Sequence, residues 1–236
     1  MTDVLVRPVW DALTHNQAGV AIGGARARRF AKDIGHLAAA RDDAPESLAA
    51  LAALVRSTGT LLLLQADEIV VPPGTVAVTT AQGVQMLASR LVTVAPRGAA
   101  QIEQLTEADA PAMLELATLT KPGPFGARTQ SLGEYWGVKE HGVLVAMAGE
   151  RMRHTGFTEL SGVCTHPSAR GRGYSRSLCA WVAGRILARG ETPYLQAYAT
   201  NTPAIELYLS LGFAIHRTMH VAALASACST SSAARA

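Results

Sequence analysis

The stretch GVCTHPSARGRGYSRSLC, residues 162–179, decides how the chain is read. It opens as a strand, passes Pro167, gathers Arg170, Arg172 and Arg176 around Gly171 and Gly173, and then turns amphipathic. A strand therefore ends, and a helix begins just past the glycines. The first amides of a helix have no internal partners and together carry roughly half a positive charge. Gly171 and Gly173 let the backbone approach a ligand closely, so that successive amides wrap phosphate oxygens. Arg170 and Arg172 add charge-assisted donors. The stretch reads as a cradle for a diphosphate.

Three kinds of cradle are distinguished by their residues. A nucleoside-triphosphate loop needs Gly-Lys-Ser/Thr, and no Lys follows here. A dinucleotide fingerprint needs a third glycine, but Arg176 stands where it would be. The pattern Q/R-x-x-G-x-G/A fits, with Arg170, Gly173 and Ser175 at its defining positions and Ser175 a small departure. That loop is joined by VCTHP before it and NTPAIELYLSLGF, residues 201–213, after it. With these motifs the chain resembles the GNAT N-acetyltransferase superfamily over residues 96–224. PGPF, MAGERM and GVCTHP look closest to its glycine N-acyltransferase-like branch.

The resemblance implies an α/β (α+β) GNAT fold: a mixed central sheet with splayed strands and flanking helices. A smaller N-terminal α/β region, residues 1–95, precedes it; it is either a degenerate GNAT-like half or a packing surface. Residues 225–236, small and polar, read as a disordered tail. The implied cosubstrate is acetyl-CoA, with no metal. Its pantetheine arm enters between the strand ending at Thr165 and PYLQAYA. Val163, Cys164 and Thr165 offer backbone groups, Gly162 suits a bulge that opens the gap, and Arg170, Gly171, Arg172, Gly173, Tyr174 and Ser175 hold the diphosphate.

Direct acetyl transfer to a primary amine needs a base for the amine and an acid for the departing thiolate. Tyr208 matches the family tyrosine near the coenzyme sulfur and is the expected general acid; the alternative is packing between helix and sheet. Asn201 either bonds the pantetheine arm or caps the following helix. By period two, Glu159, Ser161 and Val163 share one strand face, and Glu159 is the candidate base. Its alternative is an ion pair with Arg151 or Arg153, and Glu150 is a rival with the same ambiguity. Cys164 is expected opposite Glu159 as a small hydrophobe, not a nucleophile. His166 reads as an exposed turn residue.

The rest of the chain sets limits. Apolar residues make up 49% of 236, enough for a substantial core. Lys plus Arg number 21 against 18 Asp plus Glu, and aromatics are 5%, which argues against nucleic acid as the partner. Cys164, Cys179 and Cys228 show no metal spacing. No apolar run approaches the ~20 residues of a membrane helix, and the N-terminus lacks the form of a signal peptide. A cytoplasmic enzyme is expected, with a small-molecule or peptide amine as acceptor, no nucleic-acid or membrane partner, and a homodimer left open. The competing reading is a non-catalytic acyl-CoA-binding protein that keeps the fold.

Helices are expected over PESLAALAALVRS (45–57), after the Thr106/Asp109 start signal, over residues 174–190, and from Asn201 to Gly212. The loop KPGPFGARTQSLGEYWGVKEHG (121–142) is expected to shape the acceptor pocket. GVAIGGARARRF (19–30) tempts as a second glycine loop, but lacks the spacing; its arginines read as a solvated helix face.

Overall fold

Proline and glycine punctuate this chain where its helices start and stop. Pro8 and Pro45 open α1 (Pro8–Thr14) and α2 (Pro45–Thr58), and Gly59 takes a positive φ at the end of α2. The computed structural model describes residues 3–88 and 102–227. The early strands are β1 (Ala21–Gly23), β2 (Ala27–Phe30), β3 (Leu37–Ala40), β4 (Leu61–Gln65) and β5 (Thr75–Leu87). Then follow β6 (Ile102–Leu105), α3 (Ala110–Thr120), β7 (Tyr135–Glu140), β8 (Val143–His154) and β9 (Phe157–Thr165). The chain continues through α4 (Tyr174–Ala188), β10 (Thr192–Tyr198), α5 (Thr202–Ser210) and β11 (Ala214–Ser226).

The chain divides into two units. The first holds the described residues to Lys32, His36–Gly83, and those from Arg217 onward; the second holds Asp33–Gly35 and Val84–His216. In the first unit β1, β2 and β3 pair antiparallel in turn, β3 runs parallel to β4, and β4 pairs antiparallel with β11. Leu51 and Val55 of α2 pack on Leu61, Leu63, Ala222 and Leu224 of those strands.

The stretch 19–30 is a hairpin of β1 and β2 rather than a helix face. Arg28 donates to the Gly24 and Leu13 carbonyls, and Arg29 to that of Phe30. A Cβ on Gly23 would lie 2.3 Å from the Ala27 oxygen. That close backbone approach, invisible to helical periodicity, is what the glycine serves.

In the second unit β10 runs parallel to β9, while β9, β8, β7 and β6 pair antiparallel, giving a mixed sheet. One face carries α4, whose Leu178, Val182 and Ile186 meet Ala146, Ala148, Leu160 and Leu195. The other carries α3, whose Met113, Leu116 and Ala117 meet Tyr135, Met147 and Cys164. The start signal before α3 is in place: the Thr106 amide donates to Asp109 at 2.8 Å. The loop over 121–142 is shorter than expected, because residues from Tyr135 to Glu140 form β7 and pair with β6 and β8.

The expected change of region at residues 94–100 lies outside the described residues, as does the tail beyond residue 227, with Cys228. No helix among the described residues is long and apolar enough to cross a membrane.

Candidate functional site: a parted strand pair leading to a glycine turn

The β9–β10 register begins at Phe157↔Thr192 and ends at Glu159↔Tyr194. Both strands continue, β9 to Thr165 and β10 to Tyr198, without further register between them. The two strands therefore part after Glu159, and the edge of β9 that carries Val163, Cys164 and Thr165 leads directly to the glycine turn.

The parting coincides with a bulge. Between Met147↔Cys164 and Gly149↔Ser161, one residue of β8, Ala148, opposes two of β9, Gly162 and Val163. The extra residue sits at Gly162, whose φ of +64° is open to glycine and strained for other residues. One inserted residue reverses the side-chain phase beyond it. Leu160 and Val163 both pack on the α4 face, and Cys164 on the α3 face. Glu159, next to Leu160, points to the α3 face. Strict alternation therefore fails at this point: Val163 does not share the Glu159 face, and Cys164 does.

The turn has the backbone of a strand-to-helix junction. Gly171 and Gly173 have φ of +77° and +83°, and Gly173 precedes the first residue of α4. A Cβ on Gly171 would meet nothing within 4 Å, unlike that of Gly23. The backbone there faces open space. Arg170 is exposed, and its guanidinium makes no hydrogen bond or ion pair among the described residues. Arg172 is instead held by Glu140, at 2.6 and 2.8 Å, and by the Ser168 carbonyl. Tyr174 donates to the same carboxylate at 2.6 Å. Together Tyr174 and then Arg172 hold the Glu140 carboxyl below the ordinary carboxylate range. Arg176 donates to Ser210 on α5. Ser175, the departure from the loop pattern, shares a 2.8 Å hydrogen bond with Thr165 at the end of β9. Its hydroxyl is thus tied to the strand. Open glycine backbone, a helix start and an unpartnered guanidinium together suit a diphosphate.

Tyr208 is 8% exposed and lies in the α4-face core, edge-on to Phe213 at 6.1 Å. Burial pushes its phenol well above the ordinary tyrosine value, so it carries its proton throughout the neutral range. Asn201 caps α5, its Oδ1 accepting from the Ala204 amide at 3.4 Å. His166 accepts from the Ser168 amide within the turn.

Glu159 is 1% exposed, and both of its oxygens accept from Arg151, at 2.8 and 2.7 Å. The ion pair that the sequence left as an alternative is thus formed, with Arg151. An engaged carboxylate takes a proton only by giving up part of that pair. Glu150, equally buried, accepts from Arg153 and from Arg189.

Two polar groups share the α3 face: Tyr135, within the stretch expected to shape the acceptor pocket, and Gln196, which sequence reasoning missed. Tyr135 is 2% exposed, with its ring over Gly149 and reaching Gly162. Its hydroxyl is buried without a hydrogen-bond partner among the described residues. Both polar atoms of the Gln196 side chain on β10 are in the same condition. An unpaired buried polar group costs about 1–3 kcal/mol. Tyr135 lies in the stretch expected to shape the acceptor pocket, but on β7 rather than in a loop, and Gln196 has no local signal; the pair of glycines on neighbouring strands is the one clue to a large ring crossing them.

The chain is 39% identical to a protein of the GNAT family from Novosphingobium aromaticivorans DSM 12444, assigned as an acetyltransferase. The match covers 95% of this chain and 99% of that one, with a TM-score of 0.85. The chain belongs to the GNAT family of acetyltransferases. The FR47-like protein family model matches residues 135–221, from β7 through the turn and α5 into β11. A GCN5-related N-acetyltransferase from Kribbella flavida shares the fold at 16% identity and a TM-score of 0.67, over 94% of this chain and 96% of that one. A search of curated proteins gives no match. As a GNAT protein the chain is an acyltransferase.

Proposed function

We propose that this GNAT protein transfers an acetyl group from acetyl-CoA to a primary amine by direct attack on the thioester. The observation that carries the proposal is the parting of β9 from β10 after Glu159↔Tyr194, with its free edge running into the turn at Gly171 and Gly173. Val163, Cys164 and Thr165 pair with the pantetheine arm as a neighbouring strand would. The amides from Gly171 to Ser175, with Arg170, hold the diphosphate; Arg172 and Tyr174 frame the turn through Glu140. Asn201 stands at the start of α5, capping it.

The bound thioester supplies an activated acetyl carbon and a thiol leaving group. The amine nitrogen bonds to that carbon, the carbon–sulfur bond breaks, the amine loses a proton and the thiolate gains one. Tyr208, held protonated by burial, is the donor to the thiolate. Glu159 is the candidate base, acting through the oxygen that gives up Arg151. The acceptor is a small-molecule or peptide amine, with no nucleic-acid or membrane partner, and the enzyme is cytoplasmic. The likeness to the glycine N-acyltransferase-like branch rests on the short motifs alone.

Two variants test the reading together. Gly173→Glu places a side chain and a negative charge in the turn and should weaken coenzyme A binding by about 100-fold or more in calorimetry. Tyr208→Phe should leave that affinity unchanged and lower kcat by about 100-fold. Unchanged binding in folded Gly173→Glu protein overturns the site. Coenzyme binding by the wild type without thiol release on any amine favours the non-catalytic alternative.

A further inference from the structure

Three hydrogen-bonding side chains stand in one row across the second unit's sheet, beside the parting and away from the turn. Tyr135 of β7 is paired with Gly149 of β8, and Gly149 with Ser161 of β9. The β9–β10 register ends at Glu159↔Tyr194, so two residues further on Ser161 and Gln196 stand level across the gap. Leu160 and Leu195 pack on the α4 face. Ser161 and Gln196 therefore point to the α3 face, where Tyr135 lies. The Tyr135 ring crosses Gly149 to reach Gly162, where a Cβ would fall 2.9 Å from it. Two glycines thus make room to bring a phenol hydroxyl to the bulge.

That hydroxyl, and Oε1 and Nε2 of Gln196, are buried without hydrogen-bond partners among the described residues. Folded proteins pair almost all such atoms. Phe in place of Tyr135 and Met in place of Gln196 would fill similar space with nothing unpaired. These atoms are sealed from water in the structure, but the Gln196 residue is half-buried, and a change of rotamer would turn its amide toward the parting.

On the proposed function, a coenzyme with its diphosphate at the turn and its arm along Thr165 to Val163 brings its acyl end to Gly162. The amine must then meet the row. We infer that the row reads a neutral amide next to the acceptor's amine, so that the acceptor is a peptide N-terminus or an aminoacyl amide rather than a free amino acid. A glutamine side chain presents a carbonyl and an N–H side by side, the complement of another amide. The phenol donates or accepts beside it. The row offers no cation to a carboxylate: Arg151, on the same face, is spent on both oxygens of Glu159.

The inference rests on the proposed function, and the test separates the two. Thiol release from acetyl-CoA is followed with matched pairs of free amino acids and their amides (glycine, alanine and methionine), and with a tripeptide amide. Amides should be preferred in kcat/KM by about tenfold or more. Gln196→Ala should bring that preference to within about twofold, mainly through KM. Gln196→Met keeps the volume and should do the same if the alanine variant folds poorly. Tyr135→Phe should act in the same direction without lowering the melting temperature. Coenzyme A affinity, read by calorimetry, should stay at the wild-type value throughout. Free acids used as well as amides, no amide used by a protein that binds coenzyme A, or a preference that survives in Gln196→Met would each overturn the inference. Loss of coenzyme binding by the wild type would instead overturn the proposed function, and this inference with it.

Discussion

Two stretches of this protein look alike as letters. Residues 19–30 place Gly23 and Gly24 among Arg26, Arg28 and Arg29; residues 170–176 place Gly171 and Gly173 among Arg170, Arg172 and Arg176. In the first, the glycine lets β1 lie against the backbone of β2, and Arg28 and Arg29 are spent on carbonyl oxygens. In the second, the glycine backbone faces open space, a helix of 15 residues begins, and Arg170 is unpartnered among the described residues. Glycine beside arginine therefore means nothing until two things are known: what a Cβ would meet, and what the guanidinium already holds. The spacing of Arg170, Gly173 and Ser175 was an indirect report of both.

The comparison breaks most easily at the glycines. Gly23→Ala would set a Cβ 2.3 Å from a carbonyl oxygen at a φ of +129°, so it should cost about 3 kcal/mol in urea unfolding. Gly171→Ala meets no atom within 4 Å and bears only the strain of its φ of +77°, about 1 kcal/mol. Equal losses would show that the two turns are not different in kind. The arginines should divide in the opposite sense. Arg170→Ala should weaken coenzyme A binding about tenfold and leave unfolding unchanged. Arg28→Ala, which removes bonds to the Gly24 and Leu13 carbonyls, should cost about 1 kcal/mol of stability and leave binding unchanged. A coenzyme effect from Arg28→Ala would give the first stretch a role in binding that its contacts do not suggest.

What the sequence made legible follows the same division between local and non-local causes. The turn, the helix starts at Pro45 and Thr106, and the pairing of β8 with β9 each rest on a few adjacent residues, and all are present. The parting of β9 from β10 came from the family resemblance and appears where the register stops. The facing of Val163 and Cys164 could not be read by alternation, because one residue inserted at Gly162 inverts everything after it. Gly162 itself is legible as a bulge residue; its effect on phase shows only in the register. The partner of Glu159 was narrowed to two arginines and needed the structure to choose Arg151. Tyr135 falls in the stretch expected to shape the acceptor pocket, but its place beside Gln196 was beyond reach, since only the register across four strands sets them in one row.

The inverted phase has a chemical consequence that sharpens the contrast between the two faces of β9. Cys164 is turned into the α3 face, and burial pushes its thiol up to about 11; Cys179, in the α4-face core, is pushed up to about 12 by burial alone. A thiol whose folded pKa lies above its unfolded value of 9.0 favours the folded state fully below that value. That contribution is then lost as pH rises from 9.0 towards about 11 for Cys164. Native protein at pH 8 should therefore resist alkylation by iodoacetamide at both positions, because the thiolate is the reactive form. As pH climbs, Cys164, 6% exposed against 0% for Cys179, should react first, read site by site by mass spectrometry, with unfolding favoured over the same interval. Were Cys164 on the opposite face, as strict alternation requires, it would share the surroundings of Cys179 and the order would disappear. Labelling of Cys164 at pH 8 in folded protein would show that the thiol is open to solvent rather than packed on the α3 face.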